Sequence, residues 1–322
     1  ASASYAARSY GVRSAMPTAR ALVLCPKAIV LPPRHRLYRE YSRRVMAILH
    51  QSATLVEQTS VDEAFLDVTD QSVSWESVVS FARHLQRQVK ERTGLSASLG
   101  VATNKLVAKI ASDRDKPGGL TIVPPGEEAA FLKDLPVRVL WGVGPVTAGK
   151  LAQMGLNTVG DLALIPEEEL RANFGRQGVA MAAQARGIDK RPLRAGRDPK
   201  SVSQERTFSR DLAQMAALRE QLQHMSQGVS RRLQEKDLVA ATIALKLRYA
   251  DFTTITRQAQ LSVPTNDERE IYRTARTLLE RVWRPGQPVR LLGVVGRKLS
   301  TPVGQLRLWS EQEPGTGDSP DQ

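Results

Sequence analysis

Residues 202–299 carry the pattern that most narrows the possible folds. Alternating apolar positions over 202–212 give way to helical spacing over 215–236. Two more alternating runs, 239–249 and 254–263, are joined at 250–253, and a second helical stretch at 267–283 leads to a last strand at 289–299. The order is βαββαβ, a ferredoxin-like unit. Within 242–249, Ile243, Leu245, Leu247 and Tyr249 share one face, and Lys246 and Arg248 share the other, because successive strand side chains alternate. The apolar face suits two covering helices. The cationic face suits either a polyanionic partner or plain solvation of an open sheet.

The chain has 322 residues, a length that suggests two or more domains. Its formal net charge is +13, spread through helices and strands and not gathered in one tail. That balance points to a polyanion, either nucleic acid or an acidic membrane surface. One cysteine, Cys25, and four histidines leave no intrachain disulfide and no Cys/His zinc cluster, which fits a reduced, cytoplasmic setting. No apolar run approaches a bilayer-spanning length, and residues 1–20 lack the apolar core of a signal peptide. The chain opens on Ala1, not Met, and its first residues read like the interior of a protein. A piece of a longer chain is therefore expected.

Upstream of the βαββαβ unit, residues 2–33 read as a short helical segment, a break at Pro17 and a strand-like run at 28–31. A helix follows at 37–51 and a strand pattern at 54–69. The spacing of Val78, Phe81, Leu85 and Val89 predicts an amphipathic helix over 77–93. A strand at 95–101 and a helix at 104–112 come next, stopped by Pro117, Gly118 and Gly119. Residues 126–189 hold short helices only. Residues 190–201 are basic, contain proline and read as a linker. The tail, 300–322, is polar and ends acidic, so disorder is expected. Within it, Gln305, Leu306, Arg307, Leu308 and Trp309 form an apolar strip that reads either as a docking peptide or as packing on its own domain.

Asp62 and Glu63 interrupt an otherwise apolar strand pattern, in SVDEAFLDV. Buried unpaired carboxylates are very costly, so the pair needs water or a cation. Oxygen ligands of this kind suit Mg²⁺; a solvent-exposed turn between two short strands fits the spacing equally. Lys105 and Lys109, four apart near a helix start, share one helix face and are placed for phosphates beside free backbone amides, or simply for solvent. Tyr5 and Arg8, three apart, can offer a hydroxyl and a guanidinium to one anion. Gly142, Val143 and Gly144 join two short helices. No strand precedes them, so they do not make the dinucleotide fingerprint; glycines there let backbone amides approach a DNA phosphate.

Four stretches, SYAARSYGVRSAMP at 4–17, SVDEAFLDVT at 60–69, SLGVATNKLVAKIASDRDKPGG at 98–119 and LPVRVLWGVGPVTAGKLAQMGLNTVGDL at 135–162, together resemble the Y-family translesion DNA polymerases, of the bacterial type. The resemblance implies an α+β, multidomain right-hand architecture. It would comprise partial fingers at 1–36, a ferredoxin-like palm at 37–125, a helical thumb with a helix-hairpin-helix at 126–189, the linker at 190–201, and a βαββαβ little finger at 202–299. By the same resemblance, Asp62 and Glu63 are catalytic metal ligands for two Mg²⁺ ions. Tyr5, Arg8 and Lys109 hold the incoming deoxynucleoside triphosphate, and Lys105 lies beside that site. Gly142, Val143, Gly144, Lys246 and Arg248 contact primer-template DNA. Gln305, Leu306, Leu308 and Trp309 match a peptide for the bacterial sliding clamp, with Trp309 where that motif usually carries Phe. A monomer is expected. The family carries a further metal-binding Asp, beside a ribonucleotide-excluding aromatic residue, upstream of where Ala1 falls. This chain is therefore expected to be catalytically impaired. Two other readings compete: a non-catalytic DNA- and clamp-binding adaptor, against which Asp62, Glu63 and Lys109 argue, and a basic membrane-surface protein, disfavoured because no strongly amphipathic cationic helix stands out.

Overall fold

The computed structural model describes residues 2–71, 74–196 and 198–302, and the chain divides into two compact units, Ala1–Gly196 and Arg197–Gln322. The tail strip 305–309 lies outside the described residues. No helix among the described residues is long and apolar enough to cross a membrane.

The first unit opens with two short helices, α1 (Tyr5–Ser9) and α2 (Thr18–Leu24). The strand expected at 28–31 is absent: these residues form a loop with Ile29 86% and Leu31 73% exposed. An apolar run makes a strand only where a neighbouring strand takes up its backbone groups, and none does so among the described residues. Helix α3 (His35–Ser52) packs Met46, Ile48 and Leu49 against α4 (Trp75–Thr93) through Leu85 and Val89. Ser74 and Ser77 close a capping box at the start of α4, and Gly94, with φ +74°, ends it.

The expected strand at 54–69 is a hairpin of two short strands. Strands β1 (Leu55–Gln58) and β2 (Ala64–Asp67) pair antiparallel, with Gln58 opposite Ala64, so the acidic pair falls in the connecting turn. Strand β3 is only Leu99–Val101, and it pairs parallel to β4 (Leu120–Ile122), a strand the sequence pattern did not signal. Between them runs α5 (Lys105–Arg114), capped by the Asn104 side chain on the Val107 amide. A Cβ at Gly100 would lie 2.0 Å from the Ala108 carbonyl oxygen; glycine there is what lets α5 lie directly on β3. Leu106, Val107, Ile110 and Ala111 of α5 join one core with the short helices α6 (Glu128–Leu132), α7 (Pro145–Gln153), α8 (Val159–Ala163), α9 (Glu167–Phe174) and α10 (Arg176–Ala185).

The second unit follows the predicted order: β5 (Ser201–Leu212), α11 (Met215–Gln234), β6 (Val239–Tyr249), β7 (Thr254–Thr265), α12 (Glu268–Val282) and β8 (Val289–Ser300). Its strands run β5–β8–β6–β7, each antiparallel to its neighbours, so the last strand is inserted between the first two. Ile243, Leu245, Leu247 and Tyr249 of β6 share a core with Leu222 and Val229 of α11 and Ile271 and Leu279 of α12. The face predicted to be apolar is therefore the one the helices cover.

Candidate active site

Two carboxylates sit at the tip of the β1–β2 hairpin. The amides of Thr59 and Ser60 both donate to the Glu63 carbonyl, at 3.0 and 3.2 Å, closing the turn. The Ser60 hydroxyl donates to Asp62 Oδ1 at 2.5 Å, and the Asp62 amide donates back to Ser60 Oγ at 3.1 Å. Local bonds thus fix the Asp62 side chain, and both acids remain exposed. They avoid the penalty of buried charge by facing water, which keeps their oxygens available to a hard cation.

The hairpin faces α5. Lys109 Nζ lies 3.1 Å from Glu63 Oε1 and 2.9 Å from Asp113 Oδ2. Burial works against the Lys109 ammonium, but hydrogen bonds and charge attraction from Asp113 and Glu63 outweigh it and raise its pKa. Burial likewise pushes the Asp113 carboxyl up, and bonds from Lys116 and Lys109 outweigh it, leaving the pKa below the ordinary value. The result is a string of alternating charge, Glu63–Lys109–Asp113–Lys116, with the Lys116–Asp113 link at 2.6 Å.

Lys105 shares the helix face of Lys109, as the spacing predicts, but not its setting. The resemblance puts it beside the triphosphate site; in this structure its ammonium is buried and pairs with Glu57 Oε2 of β1 at 2.6 Å. The Phe65 ring of β2 lies under it, 5.4 Å from centroid to Nζ. The same helix face therefore gives one lysine to each glutamate of the hairpin, one in the dry interior and one at the rim.

Tyr5 and Arg8 meet on α1, the guanidinium 5.3 Å from the ring centroid. Arg8 Nε also donates to the Ala3 carbonyl. Among the described residues neither side chain bonds Asp62, Glu63 or Lys109. In the helix-hairpin-helix, Gly142 takes φ +88°, a left-handed conformation that favours glycine, and its carbonyl accepts from Gln177 Nε2. Gly144 caps α7 with Pro145 at its first position, so no Cβ obstructs the approach to the free amides of that helix start. Val143 does not contribute a side chain to this surface: it is buried in the core, and its amide donates to the Leu140 carbonyl.

On the open face of the second unit's sheet, Lys246 is not a free cation. It pairs with Glu205 of β5 at 2.8 Å, across the intervening β8, where Gly293 stands opposite both residues and leaves the path clear. Arg248 donates to the Thr254 hydroxyl, and Arg297 to Gln258.

Comparison with known proteins decides the family. Models of the impB/mucB/samB family match residues 1–113, with its C-terminal domain matching 199–308, and a model described as the DNA polymerase-iota thumb domain matches 133–189. The chain belongs to the impB/mucB/samB family, the Y-family DNA polymerases. It is 43% identical over 99% of its length to a DNA polymerase IV of Desulfatibacillum aliphaticivorans, covering 79% of that protein. It is 43% identical over 91% of its length to a DNA polymerase IV of Halorhodospira halophila, covering 83% of it. A solved Y-family DNA polymerase chimera containing Dbh segments matches with a TM-score of 0.82 at 26% identity, over 92% of this chain and 86% of that one. A Dbh ternary complex matches with a TM-score of 0.65 at 26% identity, over 91% and 87% of the two chains.

The site thus includes two acids whose positions the sequence made plain, Asp62 and Glu63, and two side chains it did not. Asp113 stands one helical turn after Lys109 and is detectable as an i, i+4 partner. Glu57 lies inside a strand and carries no signal beyond being a charge in an apolar run.

Proposed function

We propose that this chain is the greater part of a template-directed, error-tolerant DNA polymerase that adds deoxynucleotides to a primer 3′ end. The observation that carries the reading is the rim of the β1–β2 hairpin, where Asp62 and Glu63 are both exposed and Glu63 pairs with the Lys109 ammonium. Exposed carboxylate oxygens with room for water are the donor set Mg²⁺ prefers. Asp62 and Glu63 would hold it, and when bound it would supply a polarised primer hydroxyl and charge stabilisation at the leaving pyrophosphate.

The rest of the work falls to the chain's own groups. Lys109, held charged by Glu63 and Asp113, neutralises phosphate charge that builds up during transfer. Tyr5 and Arg8 present a hydroxyl and a guanidinium to the same triphosphate. The amides around Gly142 and Gly144 grip a DNA phosphate without reading sequence. Arg248, with Lys246 beside it, tracks the duplex backbone on the second unit. The strip Gln305, Leu306, Leu308 and Trp309 docks on a sliding clamp. Among the described residues no group of three acids, cysteines or histidines is poised to hold a metal. By the family resemblance, residues 1–322 by themselves are also proposed to catalyse poorly.

The test is Asp62→Ala in a version competent for extension. Nucleotide incorporation should vanish while affinity for primer-template is retained. Loss of both together would remove the metal role from Asp62.

A further inference from the structure

The turn between β6 and β7 holds a large aromatic ring in solvent on an unusual backbone. Phe252 is 62% exposed, and its φ of +67° lies in the left-handed region, an outlier for a bulky side chain where Gly or Asn would sit with less strain. The turn is built to keep it there. The Phe252 amide donates to the Tyr249 carbonyl at 3.0 Å, and the Tyr249 amide to the Thr253 carbonyl at 2.9 Å. The Asp251 carboxylate accepts from the Thr253 amide and hydroxyl, at 2.8 and 2.9 Å. The Thr254 hydroxyl donates to the Phe252 carbonyl at 3.3 Å and accepts from Arg248 Nε at 2.8 Å. The polar groups hold the backbone, and the ring lies outside the core of the unit.

A second irregularity points at the same ring. Arg248 of β6 stands opposite Leu291 and Tyr249 opposite Val289, so Arg290 of β8 is an extra residue in that ladder. On the other side, Thr207 of β5 stands opposite Leu291 and Leu212 opposite Val289, so the pairing is interrupted there as well. A bulge of this kind re-aims a side chain. Arg290 sets its guanidinium 4.8 Å from the Phe252 ring centroid and keeps a long ion pair with Asp211, at 3.9 Å. Arg257 and Arg284 also act on the side chain of Tyr249, the residue before the turn, against Asp251, so arginine outweighs carboxylate at this end of the unit.

We propose that the Phe252 ring, with Arg290 against it, is a stacking platform for an unpaired base of single-stranded DNA. An aromatic face accepts any base, because every base has a π face, and a neighbouring guanidinium adds cation–π attraction. The surrounding arginines favour a nucleic acid over an apolar protein surface, since a stacked base brings its phosphates with it. The platform deepens the proposed function and rests on the reading that the second unit grips DNA.

The test measures binding of the full chain to a primer-template hairpin in three forms: with a single-stranded template overhang, with the same overhang made abasic, and blunt-ended. The abasic overhang keeps the phosphates and lacks only the bases. The overhang with bases should bind about fivefold tighter or more than the abasic one, the effect of one base stacked on an aromatic ring. Phe252→Asn, whose side chain suits the left-handed backbone, should erase that difference, leave the blunt Kd unchanged and keep or raise Tm. Phe252→Trp should retain the difference. If the Asn variant melts early, Phe252→Leu, which stays apolar but has no π face, must erase it instead. Equal binding of the two overhangs by the wild-type chain overturns the platform. So does a difference that survives in a folded Phe252→Asn, which would leave the ring to a protein partner. A wild-type chain that binds none of the three DNAs overturns the DNA reading itself and the platform with it, an outcome distinct from equal binding.

Discussion

Lys109 Nζ lies 3.1 Å from Glu63 Oε1, which ties the helix that follows β3 to the acidic tip of the β1–β2 hairpin. The contact joins the two most distinctive stretches of the sequence in one site, although 46 positions separate the residues. Its partner on the other side, Asp113, keeps Lys109 charged and in place.

Lys109→Met, in a version competent for extension, should lower kcat/KM for deoxynucleotide by about 10²–10³-fold, the usual cost of removing one preorganised group from a transition state that gathers charge. Single-nucleotide incorporation kinetics measure it. A loss under threefold would take Lys109 out of the site.

Asp113 links the same string of charges to acid stability. Its folded pKa is lowered, so its contribution is fully present above the unfolded value of about 3.9 and is lost as pH falls through the folded value. Asp113→Asn should therefore flatten the acid limb of Tm against pH below about pH 4. Parallel acid limbs in the two proteins would show that the carboxylate is not coupled to folding.

Gly100→Ala puts a methyl 2.0 Å from the Ala108 carbonyl oxygen and 2.4 Å from the Ser112 nitrogen. Both are backbone atoms of α5, so the helix must move. Urea unfolding should register a loss of about 1–3 kcal/mol, and nucleotide affinity should fall with it because Lys109 rides on that helix. Wild-type stability would mean that β3 and α5 do not pack this closely.

Glu205 masks Lys246 on the open sheet face. Glu205→Gln should tighten primer-template binding and steepen the slope of log Kd against log salt by about 0.9, the effect of one more neutralised phosphate. Lys246→Ala should matter less, since that charge is already compensated. Salt titrations of the two variants decide, and the reverse order would mean that the pair opens on binding DNA.

Much of this was legible. The alternation of Ile243, Leu245, Leu247 and Tyr249 against Lys246 and Arg248 gave the covered and open faces of the sheet, because a strand has only two. The strand order was not legible, since periodicity is blind to which strand inserts between β5 and β6. Residues 28–31 have the composition of a strand, but no partner takes up their backbone among the described residues. Lys105 is the most instructive case. The four-residue spacing placed it correctly on the face of Lys109, yet its ammonium is paired with Glu57, a residue 48 positions away, which only tertiary packing brings near. Likewise, the Glu205–Lys246 pair spans a strand that is distant in sequence from both.

The most direct test is primer extension with Mg²⁺ and all four deoxynucleotides, using this chain beside a version preceded by a family-like N-terminal segment. The account predicts templated extension by the longer version and little by this chain, with both binding the primer-template. Tight binding by both with no extension by either would contradict it and leave a DNA-binding adaptor in its place.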